Sequence, residues 1–320
     1  MSKIYKYMSP GLVDSFFNAA NHTTSIKVSQ LRDYNDPYEF FLTIDYNQSP
    51  HLLAYYQEII ATVTGKYVSC FSKSPVITPM WAHYASNSTG FALEFDEAAL
   101  EKWIEENTQE PSCSFDDIHY YDTPNESLLR YLQRAYTTCK FRHIAMLREV
   151  VGGTAYFSKQ LCWSYEQERR MLINESAIRK ISDSLYLLSV PAETITAVIA
   201  GTSMLDEDQR KLETFAQLNN CKFYRKKIGK SSTNPFLVDE SGKTYVFDES
   251  KITSVENQCR LCKEPTEAKA NSCPWCQITE AHEKNAAGRN SLRALQHAGM
   301  LRDYLDGFGD IQKNSRSRDE

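Results

Sequence analysis

The stretch KQLCWSYEQERRMLI, residues 159–173, decides how this chain is read. It begins charged and aromatic and ends apolar. A strand from Tyr165 to Ile173 puts Glu166, Glu168 and Arg170 on one face and Tyr165, Gln167 and Arg169 on the other, because successive side chains in a strand point to opposite faces. Two carboxylates on one face of a strand that runs into apolar sequence belong at a cleft or a sheet edge. An ordinary surface ion network with Arg169 and Arg170 accounts for the same pattern.

Downstream, SLYLLSV (184–190) and TITAVIAG (194–201) read as apolar strands, a helix is expected from Glu207 to Asn219, and CKFYRKKI (221–228) and KTYVFD (243–248) read as strands. Upstream, Leu128, Leu129, Leu132, Ala135, Tyr136 and Cys139 recur at helical spacing, which predicts one long helix from Glu126 to Val150. IHYY (118–121) predicts a short strand. In the first hundred residues IYKYMS (4–9), SIKVSQL (25–31), KYVSCFS (66–72) and FALEF (91–95) predict strands. Helices are expected from Leu12 to Ala19, from His51 to Val63, at MWAHYA (80–85) and over 96–106. Asn35, Asp36 and Pro37 predict a turn. The mixture is an α+β domain over residues 1–250.

The chain has 320 residues, enough for one large domain or two ordinary ones with a sizeable core. Apolar residues at 42% and charged residues at 24% exclude disordered and fibrous classes. No run of 18 apolar residues occurs, and MSKIYKYMSPG lacks an apolar segment before a small-residue cleavage site, so a cytoplasmic protein with no membrane partner is expected. The net charge of -5 exerts no global pull on nucleic acid.

Four of the nine cysteines are clustered as Cys259-x2-Cys262 and Cys273-x2-Cys276. Two thiolate pairs joined by a ten-residue loop can close a tetrahedral sulfur shell, for which Zn(II) is the expected occupant. Such a shell leaves no position for water, so the expected role is structural. The cluster opens a second module over 251–311, with an amphipathic segment from Thr279 to Leu305 and a charged, disordered tail at 312–320. The module's mixed charge leaves both nucleic-acid binding and protein docking open.

Other polar groups sit beside apolar strand signals: Lys6 and Tyr7, Asp36, Ser72, and Trp81 with His83 and Tyr84. Each has a bland reading. Asp36 is a turn residue before Pro37, Trp81 a core anchor, His83 a helix cap or exposed residue, and Ser72 a strand-end hydrogen-bonder without nucleophile-elbow glycines. No GxGxxG, Walker loop or HExxH occurs.

An opening strand with KY, then LRDYNDPYE, CFS followed by MWAHYA, GFALEFD, CWSYEQERRM and ITAVIAG together resemble the DUF2971 family of microbial proteins over about residues 3–230. More distantly, the layout resembles the ADP-ribosyltransferase superfamily. That resemblance implies small split β-sheets with flanking helices, NAD as substrate, and a toxin or phage-defence effector acting on a nucleic acid or protein, with a regulatory protein as a further partner. It implies Tyr7 on the first strand and Ser72 at the end of YVSCFS as NAD contacts, and Glu168 as the residue that stabilises developing positive charge, with Glu166 competing for that role. In the same account Trp81 or Tyr84 stacks near nicotinamide, Lys6 and Arg170 meet phosphates, and His83 serves as an acid or base. The departure is the lack of an Arg or His at the first position. Two other classes remain open: a metal-dependent nuclease built on Asp36, His83, Glu166 and Glu168, and a non-enzymatic zinc-containing interaction protein.

Overall fold

Alternating branched and aromatic residues drive the opening strand Lys3–Met8: Ile4 and Met8 bury in one apolar cluster, Tyr5 and Tyr7 in another. The same two-sided burial recurs in Phe91–Asp96, where Phe91, Leu93 and Phe95 join Ile4 and Ala92 joins Tyr5. A sheet covered on both sides follows. The computed structural model describes residues 2–30, 44–63, 65–107, 113–183, 185–267 and 272–307. Asn35, Asp36, Pro37 and the tail at 312–320 lie outside them.

The protein is a mixed α/β chain in which, among the described residues, fourteen strands join in one hydrogen-bonded sheet. Its main path runs Arg179–Ser182, Leu185–Pro191, Thr23–Gln30, Tyr67–Ser72, Lys3–Met8, Phe91–Asp96, Ile195–Ala200, Lys222–Lys227, Phe236–Asp239, Thr244–Asp248 and Lys251–Ser254. Ile195–Ala200 and Lys222–Lys227 pair in parallel, joined by the helix Asp206–Leu218. The expected pair of separate small sheets is therefore replaced by a continuous network.

That network forks at Tyr67–Ser72. Glu168–Ile173 pairs with this strand from end to end. On the other edge, Thr23–Gln30 pairs only at Tyr67 and Val68, and Lys3–Met8 only at Ser72. Between these points Lys6 Nζ donates to the Ser69 hydroxyl at 2.8 Å and the Cys70 carbonyl at 2.9 Å, and the Ser69 hydroxyl donates to the Lys27 carbonyl at 3.0 Å. Side chains thus bridge the opening where the ladder stops, meeting the demand that buried backbone groups be paired.

Several expectations need correction. The long helix is two, Glu126–Thr138 and Phe141–Phe157, broken where Cys139 turns left-handed (φ 48°). The break brings Leu128, Leu132 and Ala135 onto Leu147 and Val151, with Leu52, Tyr56 and Ile59 of the helix Pro50–Ala61 completing the cluster. Both arms of a helical hairpin carry the same period, and no glycine marks the corner. Leu12 to Ala19 is no helix: Pro10–Leu12 is a single 3-10 turn, and Phe17–Asn18 pairs with Thr23 and Thr24. Lys251–Ser254 pairs with Thr244–Asp248, so the sheet passes residue 250, and the compact units divide between Glu256 and Asn257.

Two glycines fix the backbone beside the helix Thr78–His83. A Cβ on Gly90 would run into the Met8 carbonyl oxygen, and one on Gly201 into that of Ser88. Both obstacles are backbone. Gly90→Ala and Gly201→Ala are each expected to destabilise the first unit by about 1–3 kcal/mol. Thermal denaturation checks this; an unchanged melting temperature would contradict the packing described.

In the second unit, Asn257–Glu320, the helices Glu280–Arg289 and Ser291–His297 follow the cysteines. The segment expected to be amphipathic has no buried residue in either helix.

Candidate functional site

The sequence around Glu166 and Glu168 does not form one strand. Leu161–Glu166 is a 3-10 turn, Gln167 is left-handed (φ 46°), and the strand starts at Glu168. The strand expected from Tyr165 is thereby shortened by three residues. Its alternation holds for Glu168 and Arg170, while Glu166 arrives at the same place from the turn. A Gln at 167 hides the corner because glycine is the usual mark of left-handed backbone.

Lys159, on the short strand Ser158–Gln160, gathers the carboxylates. Its Nζ donates to Glu166 Oε2 at 2.7 Å and to Glu168 Oε2 at 3.2 Å. Arg170 holds Glu168 from the far side, Nε to Oε1 at 2.7 Å and Nη2 to Oε2 at 3.3 Å, while its Nη1 donates to the Tyr156 carbonyl. Tyr84 donates to Glu166 Oε1 at 2.6 Å. The Glu168 amide donates to the Tyr120 hydroxyl at 2.9 Å. Glu166 and Glu168 are each 3% exposed and Arg170 is fully buried.

Burial pushes both carboxyls towards the neutral form, with opposite outcomes. At Glu168 the Arg170 and Lys159 charges overcome it and hold the group down to about 2. At Glu166 burial wins: Lys159 and Tyr84 oppose it, the Glu168 charge reinforces it, and the carboxyl is raised. The signs follow for stability. Glu168 stabilises the fold above its unfolded value near 4.5, a contribution lost as pH falls towards 2; Glu166 contributes at low pH and loses that contribution as pH rises through its raised value.

These groups form one wall of a cavity of about 420 Å³, within the range of small-ligand sites. Lys6, Tyr7, Ser72, His83, Tyr84, Lys159, Trp163, Glu166 and Glu168 line it, so seven of the nine expected catalytic and NAD-contact residues meet there. Lys6 lies at the sheet fork, and burial lowers its affinity for a proton. Burial raises the Cys70 thiol to about 12.

Three expected roles change. Trp81 is fully buried, donates Nε1–H to the Pro75 carbonyl, packs edge-on against Tyr7, and carries Lys226 Nζ 4.6 Å from its ring centre, so it is a core anchor and no stacking surface. Arg170 is fully buried against Glu168 and the Tyr156 carbonyl and does not line the cavity. Ser72 is fully buried; its hydroxyl donates to the Glu166 carbonyl at 2.7 Å and accepts from the Ser74 amide, which fixes the turn rather than a ribose. Lys159, Tyr120 and Trp163 were not legible as site residues. Lys159 pairs across a short separate sheet with His119–Tyr121, and nothing local in the sequence marks that contact.

The four cysteines form a separate centre. Their sulfurs all lie within 4.8 Å of one another, Cys262 and Cys273 at 3.7 Å. Sulfurs at the corners of a zinc tetrahedron with ~2.3 Å bonds stand roughly 3.8 Å apart. Backbone amides, including Cys273 N at 3.3 Å, point at Cys259 Sγ; these amides outweigh burial and lower that thiol to about 6. The donor set fits a metal ion such as zinc.

Residues 80–171 match the family described as protein of unknown function, DUF2971. The matched segment contains Trp81, His83, Tyr84 and Lys159 to Arg170, and so both cavity-lining glutamates and Lys159. Lys6, Tyr7, Ser72 and the cysteines lie outside it. No curated protein and no solved structure matches the chain. Among the described residues no helix is long and apolar enough to cross a membrane.

Proposed function

We propose that the cavity binds NAD and that the protein transfers ADP-ribose from it to a macromolecule, nucleic acid or protein. The observation that carries this reading is the convergence of Glu166 and Glu168 on one wall of the cavity at the sheet fork, with their proton affinities driven apart. In this reading the bond from ribose C1' to the nicotinamide nitrogen breaks, and its electron pair leaves with nicotinamide. Glu168, held ionised by Arg170 and Lys159, holds the ribose 2'-hydroxyl and stabilises the cation left on C1'. The acceptor's nucleophile then bonds to C1', and Glu166, whose proton affinity burial raises, takes its proton. Tyr84 and His83 line the nicotinamide side and Lys6 the phosphate side. Zinc in the cysteine centre is structural, and the protein belongs with the toxins and phage-defence effectors to which the resemblance points.

A metal-dependent nuclease finds less support: a divalent ion between the glutamates would have to displace Lys159 and Arg170. NAD labelled separately in its nicotinamide and adenylate halves discriminates the two. Free nicotinamide with adenylate label on a macromolecule is expected. Metal-dependent phosphodiester cleavage without NAD consumption would overturn the proposal.

A further inference from the structure

We infer that Lys159 is a positioning residue, a charge clamp that keeps Glu166 and Glu168 side by side and ionised at the cavity wall. The use made of the charged pair rests on the transferase reading; the clamp itself does not. Two carboxylates sharing a buried site cannot both stay ionised without a cation between them. Arg170 is placed on Glu168, whereas the Lys159 ammonium reaches an oxygen of each, at 2.7 and 3.2 Å.

The ammonium is held for this task. Lys159 is 9% exposed, its Nζ stands 4.8 Å from the centre of the Trp163 ring, and its strand follows directly on the helix Phe141–Phe157. The other charged or titratable groups around the pair are His83 and Tyr84 at the end of the helix Thr78–His83, Tyr165 in the turn, Arg170 on the strand, Tyr120 on the neighbouring strand, and Lys6 and Cys70 across the cavity. Of the influences that favour charge on Glu166, Lys159 is the largest. Removing it leaves burial and the Glu168 charge, which favour the neutral acid, against the Tyr84 hydrogen bond, which favours the charged form.

The test is the acid titration of the pair in the full chain, read by NMR from ¹³C-labelled glutamate carboxyls and assigned with Glu166→Gln and Glu168→Gln. Lys159→Met is expected to move the titration up by about one pH unit or more, and Lys159→Arg by much less. Near-ultraviolet circular dichroism establishes that each variant is folded; if Lys159→Met is not, Lys159→Gln takes its place. An unmoved titration in the folded uncharged variant, or an equal shift in Lys159→Arg, overturns the clamp. Failure of the wild-type protein to consume NAD overturns the transferase reading and leaves this titration to decide the clamp. Where both stand, the acid limb of NAD cleavage moves with the titration.

Discussion

Glu168→Gln is expected to lower NAD cleavage by about 10²- to 10³-fold in a protein that still folds. The amide keeps the side chain's volume and accepts one hydrogen bond but supplies no charge to the developing cation. Removing a buried anion from Lys159 and Arg170 costs stability, about 3–5 kcal/mol for a broken buried pair. Glu166 remains to hold Lys159, and the Tyr156 carbonyl to hold Arg170, so a lowered melting temperature is expected and an unfolded protein is not. Glu166→Gln should differ in both respects. Its charge is already disfavoured by burial, so less stability is lost, and the acceptor step should suffer more than nicotinamide release. Labelled-NAD assays on folded variants check the contrast; cleavage at the wild-type rate in Glu168→Gln would remove that residue from the chemistry.

Chelation of the metal, or Cys259→Ser, is expected to unfold the region after Asn257 while leaving the first unit intact. Among the described residues of the second unit few are buried beyond Cys259 and Cys273, and none in the helices Glu280–Arg289 and Ser291–His297. A four-sulfur zinc site contributes roughly 10 kcal/mol or more to folding, enough to decide the state of so small a core. Proteolysis should therefore cut metal-free protein beyond residue 257 and spare 2–256, whose apolar clusters include the sheet strands. About one zinc per chain is expected in reduced protein, and a chain that binds none would contradict the assignment.

The sheet was legible because its strands announce themselves locally. Ile4, Tyr5, Tyr7 and Met8, or Phe91, Ala92, Leu93 and Phe95, satisfy burial on both faces as strands. The cysteine centre was legible because metal-ligand spacing is local as well. What the sequence hides are corners without their usual residue: Cys139 and Gln167 take left-handed backbone that glycine normally fills, so the pattern predicts one helix where there are two and a strand that begins three residues before the observed one. Also hidden were contacts whose partners lie far apart in the chain, such as Lys6 with Ser69 and Cys70 or Glu168 with Tyr120. Ser72 and Trp81 stand out in the sequence, and their bonds to the Glu166 and Pro75 carbonyls give each a supporting role, Ser72 at the cavity wall and Trp81 behind it.

Release of nicotinamide from NAD, followed with label in the nicotinamide ring, tests the central claim most directly. The zinc-loaded, folded wild-type chain is compared with Glu168→Gln, with nucleic acid and protein acceptors supplied in turn. The account predicts nicotinamide release by the wild type well above the Glu168→Gln background. Equal, background-level release by both proteins under every acceptor condition would contradict it.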